Sequence, residues 1–258
     1  MVLYLIGLGL RPDDISKRAL AIIHECDSVY LETYTSVLSC SHIELEQLLG
    51  VQVIPADRTL VEQQAEEKLI NPAKTGDVAL LVVGDPLSAT THMDLFLRAK
   101  ALGVRIDIIH NATVLNAVAR TGLQLYKFGK TASIAFGEKE YVPETHYAIL
   151  KENQSINAHT LLLLDLRPLE KRYLTIADGI TSLLSLAAKD NKSAFTDETL
   201  CIGCARLGWA DEKIVAGKAV ELLDIDFGKP PYCLIVPGKM HFVEEDAVQR
   251  FSSHGTKC

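Results

Sequence analysis

Residues 78–83, Val-Ala-Leu-Leu-Val-Val, are apolar without interruption. A strand with one wet face alternates apolar and polar side chains, so an unbroken run needs cover on both faces. That requirement points to a parallel sheet packed between helices, and the flanking sequence supplies both. Strands are predicted at 2–9, 28–32, 51–55, 77–85 and 104–110, with helices at 13–26, 41–49, 60–70 and 91–102 between them. The first helix carries Ile15, Ala19, Ile22, Ile23 and Cys26 at helical spacing. Ser41 with Glu44 three residues on forms a capping box for the second. Strands separated by helices imply right-handed βαβ crossovers.

The second half follows another rhythm. Strands are predicted at 131–136, 159–166, 199–207 and 232–238, helices near 144–153 and 175–189, and a strand running into a helix at 213–223. Long gaps and glycine-rich turns point to a mixed sheet. The expected organisation is an N-terminal α/β domain over 1–112, a linker region over 113–130 and a C-terminal α/β domain over 131–258, with a frayed tail at 252–258.

Charge and cysteine usage narrow the partners. Lys and Arg total 26 against 33 Asp and Glu, a net charge of -7, and no basic run marks a nucleic-acid surface. The apolar start lacks a basic leader region and runs into Arg11-Pro12-Asp13-Asp14, which suits a buried first strand better than a signal peptide. No stretch approaches the roughly 18 apolar residues of a membrane span. A soluble cytoplasmic protein without nucleic-acid or membrane partners is expected. The six cysteines are scattered. Cys201 and Cys204 stand three apart on a strand and so face opposite ways, which is poor geometry for a shared metal. No metal site is expected.

In a parallel sheet, ligands bind beyond the carboxyl ends of the strands. Three loops leave such ends: Gly7-Leu8-Gly9-Leu10-Arg11-Pro12 after the first strand, Gly84-Asp85-Pro86-Leu87-Ser88 after the fourth, and His110-Asn111-Ala112-Thr113 after the fifth. The first begins like a dinucleotide fingerprint, but Pro12 holds the place of the third glycine. Asp13 and Asp14 in the following turn would repel a pyrophosphate. Glu32, at the second strand's end, stands near where an acid would hold a ribose. The two glycines either admit a ligand close to the backbone or only form a tight turn. Asp85 reads as an exposed acid at a strand terminus, suited to a sulfonium or ammonium, or as a cap for its own turn. Thr91, with Asp94 third in the helix, reads as an N-cap, and His92 as a packed first-turn histidine. Asn111 and Thr113 are helix-start residues whose backbone N–H groups could meet a ligand carboxylate.

Together the stretches MVLYLIGLGL, GDPLSATTH, TGLQLYKFGK, HTLLLLDL, FTDETL and PPYCLIVPGKMHFVE resemble the diphthine synthases, a branch of the tetrapyrrole-methylase class of S-adenosylmethionine-dependent methyltransferases. The resemblance runs from residue 1 to about 250; GLGL and GDP alone would mark only the wider class. It implies two α/β domains with the methyl donor in the cleft between them, and a homodimer. Carried over position by position, it implies a donor site of Leu10, Asp85, Ser88, Thr113, Val114, Leu164, Leu207 and Tyr232. Ser88 stands where the family usually has Gly or Val, and Tyr232 where His is common. The implied reaction methylates the amino group of a 2-(3-amino-3-carboxypropyl)histidine on translation elongation factor 2, forming diphthine for diphthamide biosynthesis and releasing S-adenosylhomocysteine.

Such a transfer needs alignment and a neutral amine rather than a metal. His110, Tyr126 and His241 lie near the implied site, and none stands out as a base. The competing readings are another methylase of the class acting on a corrin-type macrocycle or on rRNA, a nucleotide-binding oxidoreductase, and a binding module without catalysis.

Overall fold

The computed structural model describes residues 1–137, 143–190 and 193–252. The chain divides into two compact units, Met1–Ala117 and Val118–Cys258.

The first unit is built on five strands: β1 (Val2–Gly7), β2 (Ser28–Glu32), β3 (Ile54–Ala56), β4 (Val78–Val82) and β5 (Arg105–Ile109). They lie in the order β3-β2-β4-β1-β5, and every pairing is parallel. All five residues of β4 are buried, as its apolar run requires. One core cluster gathers Leu3, Leu5, Leu80 and Val82, and a second gathers Ile6, Ala79 and Leu81. The alternation puts successive residues of β1 and β4 into different clusters, the signature of a sheet covered on both sides.

Helices α1 (Lys17–Glu25), α2 (His42–Leu49), α3 (Arg58–Glu62) and α4 (His92–Ala101) alternate with these strands, and α5 (Val114–Ala117) closes the unit. Several boundaries differ from the sequence expectation. The helix expected at 13–26 breaks into a 3-10 turn, Pro12–Asp14, and α1, with Ile15 extended between them. Ser16 stops α1 from reaching back, because its side chain accepts from the N–H of Ala19 and caps the helix there. The strand expected at 51–55 forms only at Ile54–Ala56. The helix expected at 60–70 becomes α3, a π-helical turn at Glu66–Ile70 and a 3-10 turn ending before Thr75. The break after Glu62 comes where the N–H groups of Gln63 and Gln64 both converge on the carbonyl of Thr59. The Ser41–Glu44 capping box forms as expected. Thr91 does not cap α4 with its side chain, and Asp94 instead pairs with Arg98 at 2.8 Å.

The second unit holds strands β6 (Ala132–Ile134), β7 (Thr160–Leu164), β10 (Leu200–Ala205), β11 (Lys213–Lys218) and β12 (Tyr232–Val236), with a small ribbon of β8 (Leu166–Arg167) and β9 (Arg172–Tyr173). The main sheet runs β11-β10-β12-β7-β6; only the β6–β7 pairing is parallel, so it is mixed, as expected. Helices α6 (Thr145–Ser155), α7 (Ile176–Ala187), α8 (Ala219–Leu222) and α9 (Phe242–Gln249) accompany it. Cys201 and Cys204 are both buried on β10, and Cys204 lies opposite Cys233 of β12. Of the tail expected to fray, only Ser252 is among the described residues. No described helix is long and apolar enough to cross a membrane.

Candidate functional site

Strand order decides which loops meet. In the first sheet β4, β1 and β5 are neighbours, so the three loops singled out in the sequence leave it side by side. They are then stitched together. Gly9 and Gly84 exchange backbone hydrogen bonds, the N–H of Gly9 donating to the carbonyl of Gly84 at 3.1 Å and the reverse at 2.8 Å. The Asn111 amide donates to the carbonyls of Gly7 at 3.0 Å and Asp14 at 3.1 Å.

These bonds explain the glycines. A Cβ on Gly7 would lie 2.6 Å from the Gly84 carbonyl oxygen, and one on Gly9, where φ is +80°, would lie 2.5 Å from Cβ of Asp14. Both glycines therefore serve loop-to-loop packing. Gly9→Ala is expected to cost about 2 kcal/mol, since strain at positive φ adds to the clash. Denaturant unfolding measures it, and a loss under about 0.5 kcal/mol would show that the loop yields.

Asp85 sits at the junction. The sequence allowed an exposed acid or a cap for its own turn; the residue is buried, only 6% accessible, with its side chain folded back onto that turn. Oδ1 accepts from the N–H of Leu87 at 3.0 Å and the hydroxyl of Ser88 at 3.2 Å. Oδ2 accepts from the N–H of Asn111 at 3.2 Å and lies 2.7 Å from Nδ1 of His110. Burial alone would raise the carboxyl's pKa, but the donors from Leu87, His110 and Asn111 outweigh it and hold the group below its ordinary value. The junction thus carries a fixed negative charge. Of its neighbours, Arg11 is paired with Asp13, so the loops present no free guanidinium to a phosphate.

The other expected donor residues of this unit lie in the same three loops or open the helix that follows them. Ser88 touches Asp85 directly. Leu10 is half-buried, its N–H held by Asp14 at 3.1 Å. Thr113 donates its N–H to the side chain of Asn116 at 2.9 Å, and Val114 opens α5. The backbone N–H groups of Asn111 and Thr113, considered as carboxylate holders, are already engaged inside the protein. Glu32 is likewise committed: it is buried, and its carboxylate receives the N–H groups of Tyr34 and Thr35, each at 2.7 Å. Its other oxygen accepts the hydroxyl of Thr35, so both oxygens are engaged within the protein.

Within the second unit, Leu164, Leu207 and Tyr232 come to one end of the mixed sheet. Leu164 ends β7, Tyr232 begins β12 opposite Ala205, and Leu207 follows β10 by two residues. The Tyr232 hydroxyl donates to the carbonyl of Gly228. Arg206 anchors this end from within; it is buried, and its guanidinium bonds the carboxylate of Asp211 at 2.8 Å and the carbonyl of Phe227 at 2.9 Å. At the opposite end an open cavity of about 400 Å³ is lined by Lys127, Ala158, Lys239 and His241. Its half-buried lysine is already paired with Glu244.

Of the three base candidates, Tyr126 is exposed with its hydroxyl on Gln124, and His241 caps α9. Only His110 belongs to the Asp85 junction. The sequence missed the side chain of Asn111 as the clamp across the loops, since its partners lie 104 and 97 residues away.

Comparison with known proteins agrees with this architecture. Residues 2–223 match the model of the Tetrapyrrole (Corrin/Porphyrin) Methylases. A diphthine synthase of Methanocaldococcus jannaschii is 42% identical, the match covering 96% of this chain and 98% of that protein. The diphthine methyl ester synthase of Homo sapiens is 41% identical, covering 97% and 95% respectively. A solved structure of a diphthine synthase superposes with a TM-score of 0.89 at 37% identity, covering 98% of this chain and 96% of that one. The chain belongs to the tetrapyrrole (corrin/porphyrin) methylase family and, within it, is a methyltransferase of the diphthine synthase group.

Proposed function

We propose that the chain transfers methyl groups from S-adenosylmethionine to the 3-amino-3-carboxypropyl group of a modified histidine on translation elongation factor 2, releasing S-adenosylhomocysteine. The observation that carries the donor assignment is the ionised, buried carboxylate of Asp85 at the meeting of three strand-end loops. A fixed negative charge in a partly dry place favours a cationic ligand and disfavours a phosphate. When bound, the donor supplies an activated methyl on a positive sulphur.

Leu10, Asp85, Ser88, Thr113 and Val114 would hold it on the first unit, Asp85 through its charge. The same reading assigns Leu164, Leu207 and Tyr232 to donor contact, Tyr232 through its ring, because its hydroxyl is engaged with Gly228. The protein's share of the chemistry is to align the acceptor nitrogen, exclude water and keep that nitrogen neutral, since desolvation disfavours an ammonium. The relatives' names include both a diphthine synthase and a diphthine methyl ester synthase. Amine transfers, with or without a final transfer to the carboxylate, are therefore within the reading, as are a homodimer and a cytoplasmic setting.

The test is incubation with labelled donor and elongation factor 2 bearing the amino-carboxypropyl histidine. Label is expected on one residue of the factor, stable to mild base where it sits on nitrogen and labile where it is an ester. Label appearing only in RNA or in a corrin-type macrocycle would replace this reading with the corresponding substrate.

A further inference from the structure

The histidines differ in what their ring nitrogens do. His92 is buried with Nδ1 3.0 Å from the Pro86 carbonyl, and His146 is buried against the Ser182 hydroxyl. His159 is buried between the N–H of Gly238 and Glu244. His24 and His42 lie against the carbonyls of Leu49 and Val53. Among the described residues, His110 alone combines an exposed ring with a nitrogen set on a buried carboxylate. Its side chain is 67% accessible and that of Asp85 8%, with 2.7 Å between Nδ1 and Oδ2.

That pairing has a chemical consequence. Asp85 is held ionised and has no proton to give, so Nδ1 of His110 is the donor. In the neutral ring the other nitrogen, Nε2, is then left with a bare lone pair. No described group bonds Nε2. A buried carboxylate that fixes the tautomer and orientation of an exposed ring is the arrangement of a general base.

We propose that His110 Nε2 is the base that removes the proton from the acceptor amine, with Asp85 as its positioning residue. The inference rests on the reading that the methyl donor lies on these loops. A free aliphatic amine is mostly protonated near neutral pH. His110 takes one N–H proton from the ammonium, and the freed nitrogen lone pair forms the new N–CH3 bond. The carbon–sulphur bond breaks with its electron pair remaining on sulphur, leaving a neutral thioether. The imidazolium, still hydrogen-bonded to Asp85, then returns its proton to water. Every amine transfer repeats the same balance, one proton released for each methyl gained.

Two measurements test this on the full chain. The first needs no turnover. Long-range proton–nitrogen NMR of nitrogen-15 histidine-labelled protein is expected to show neutral His110 protonated at Nδ1, reverting to the Nε2–H form in Asp85→Asn. The Nε2–H form in the unaltered protein would overturn the proposal. The second compares His110→Ala with the parent. Donor affinity by calorimetry is expected to stay within about threefold, while single-turnover transfer falls about 100-fold and recovers in part with added imidazole. Transfer within threefold of the parent, loss without imidazole rescue, or loss of donor affinity in parallel would each overturn the assignment. Failure of the unaltered protein to bind the donor would instead remove the reading beneath it.

Discussion

Replacing Glu244 by Ala is expected to lower the stability of the second unit by about 4 kcal/mol, the scale on which a buried charge network collapses when one member is removed. Glu244 is fully buried in α9, yet four donors converge on it. Oε1 accepts from the N–H of Gln124 at 2.9 Å and from Nε2 of His159 at 3.0 Å. Oε2 accepts from the N–H of His241 at 2.8 Å and from Nζ of Lys127. The ring of His159 accepts the N–H of Gly238 at Nδ1, so its proton sits on Nε2 and points at the carboxylate. One side chain thus ties the segment before β6, the start of β7 and the turn after β12 to α9. The alanine variant leaves the N–H groups of Gln124 and His241 and the Nε2–H of His159 without an acceptor, and leaves the half-buried Lys127 with only the carbonyl of Lys239. Fluorescence of Trp209, the single tryptophan, reads unfolding of this unit. A loss below about 1 kcal/mol would mean that water replaces the carboxylate freely.

The same network makes a signed prediction about acid. Burial pushes the Glu244 carboxyl up, but Gln124, Lys127, His241 and His159 together bring it down to about 2 from an ordinary 4.5. A group with a depressed pKa stabilises the fold above its unfolded value and loses that contribution as pH falls through its folded value. About 3 kcal/mol is therefore expected to be present at neutral pH and to drain away between about pH 4.5 and 2. Glu244→Gln should show a shallower decline over that window. It keeps an acceptor for Gln124 and His159 but sets an amide against Lys127. Parallel acid curves for the two proteins would exclude Glu244 as the titrating group.

Asp85→Asn is expected to reduce the second-order rate of methyl transfer about 1000-fold while leaving the fold intact. Two losses combine. Removing the negative charge from the loop junction should weaken donor binding about tenfold, as expected when one partly buried charge stops opposing a cation. The remainder is orientational. An amide can still accept from Leu87 and Ser88 through its oxygen, but its nitrogen cannot accept from Asn111 or His110. His110 then loses the bond that holds its proton on Nδ1. Calorimetry and single-turnover kinetics separate the two parts. Undiminished donor affinity would take the carboxylate out of the donor's surroundings, and an unchanged rate at saturating donor would end its role in positioning His110.

How much of this was legible in the sequence depended on how far each signal reaches along the chain. The buried run of β4 and the alternation of strands with helices announced a parallel sheet, because apolar patterning records which faces are covered. The box of Ser41 and Glu44 could be read directly, its partners lying three residues apart. Boundaries moved where a local competitor won. Ser16 capped α1 in mid-pattern, and the third helix broke where Gln63 and Gln64 shared the Thr59 carbonyl. The three loops of the candidate site were visible as strand ends, but the Gly-Asp-Pro stretch could not disclose that its aspartate also meets the third loop. That depends on donors 25 and 26 residues away.

Sequence alone therefore determined the layer architecture of each half and the family, and marked the loops of the candidate site, since these follow from local periodicity and short contiguous strings. Tertiary structure decided the rest: β1 lies between β4 and β5, Asn111 clamps three loops, the Asp85 carboxylate is buried and bound to His110, and Glu244 gathers four donors. The reason is physical. Hydrogen-bond partners separated by tens of residues are chosen by strand order and packing, and no local pattern in the chain encodes which carboxylate will meet which ring.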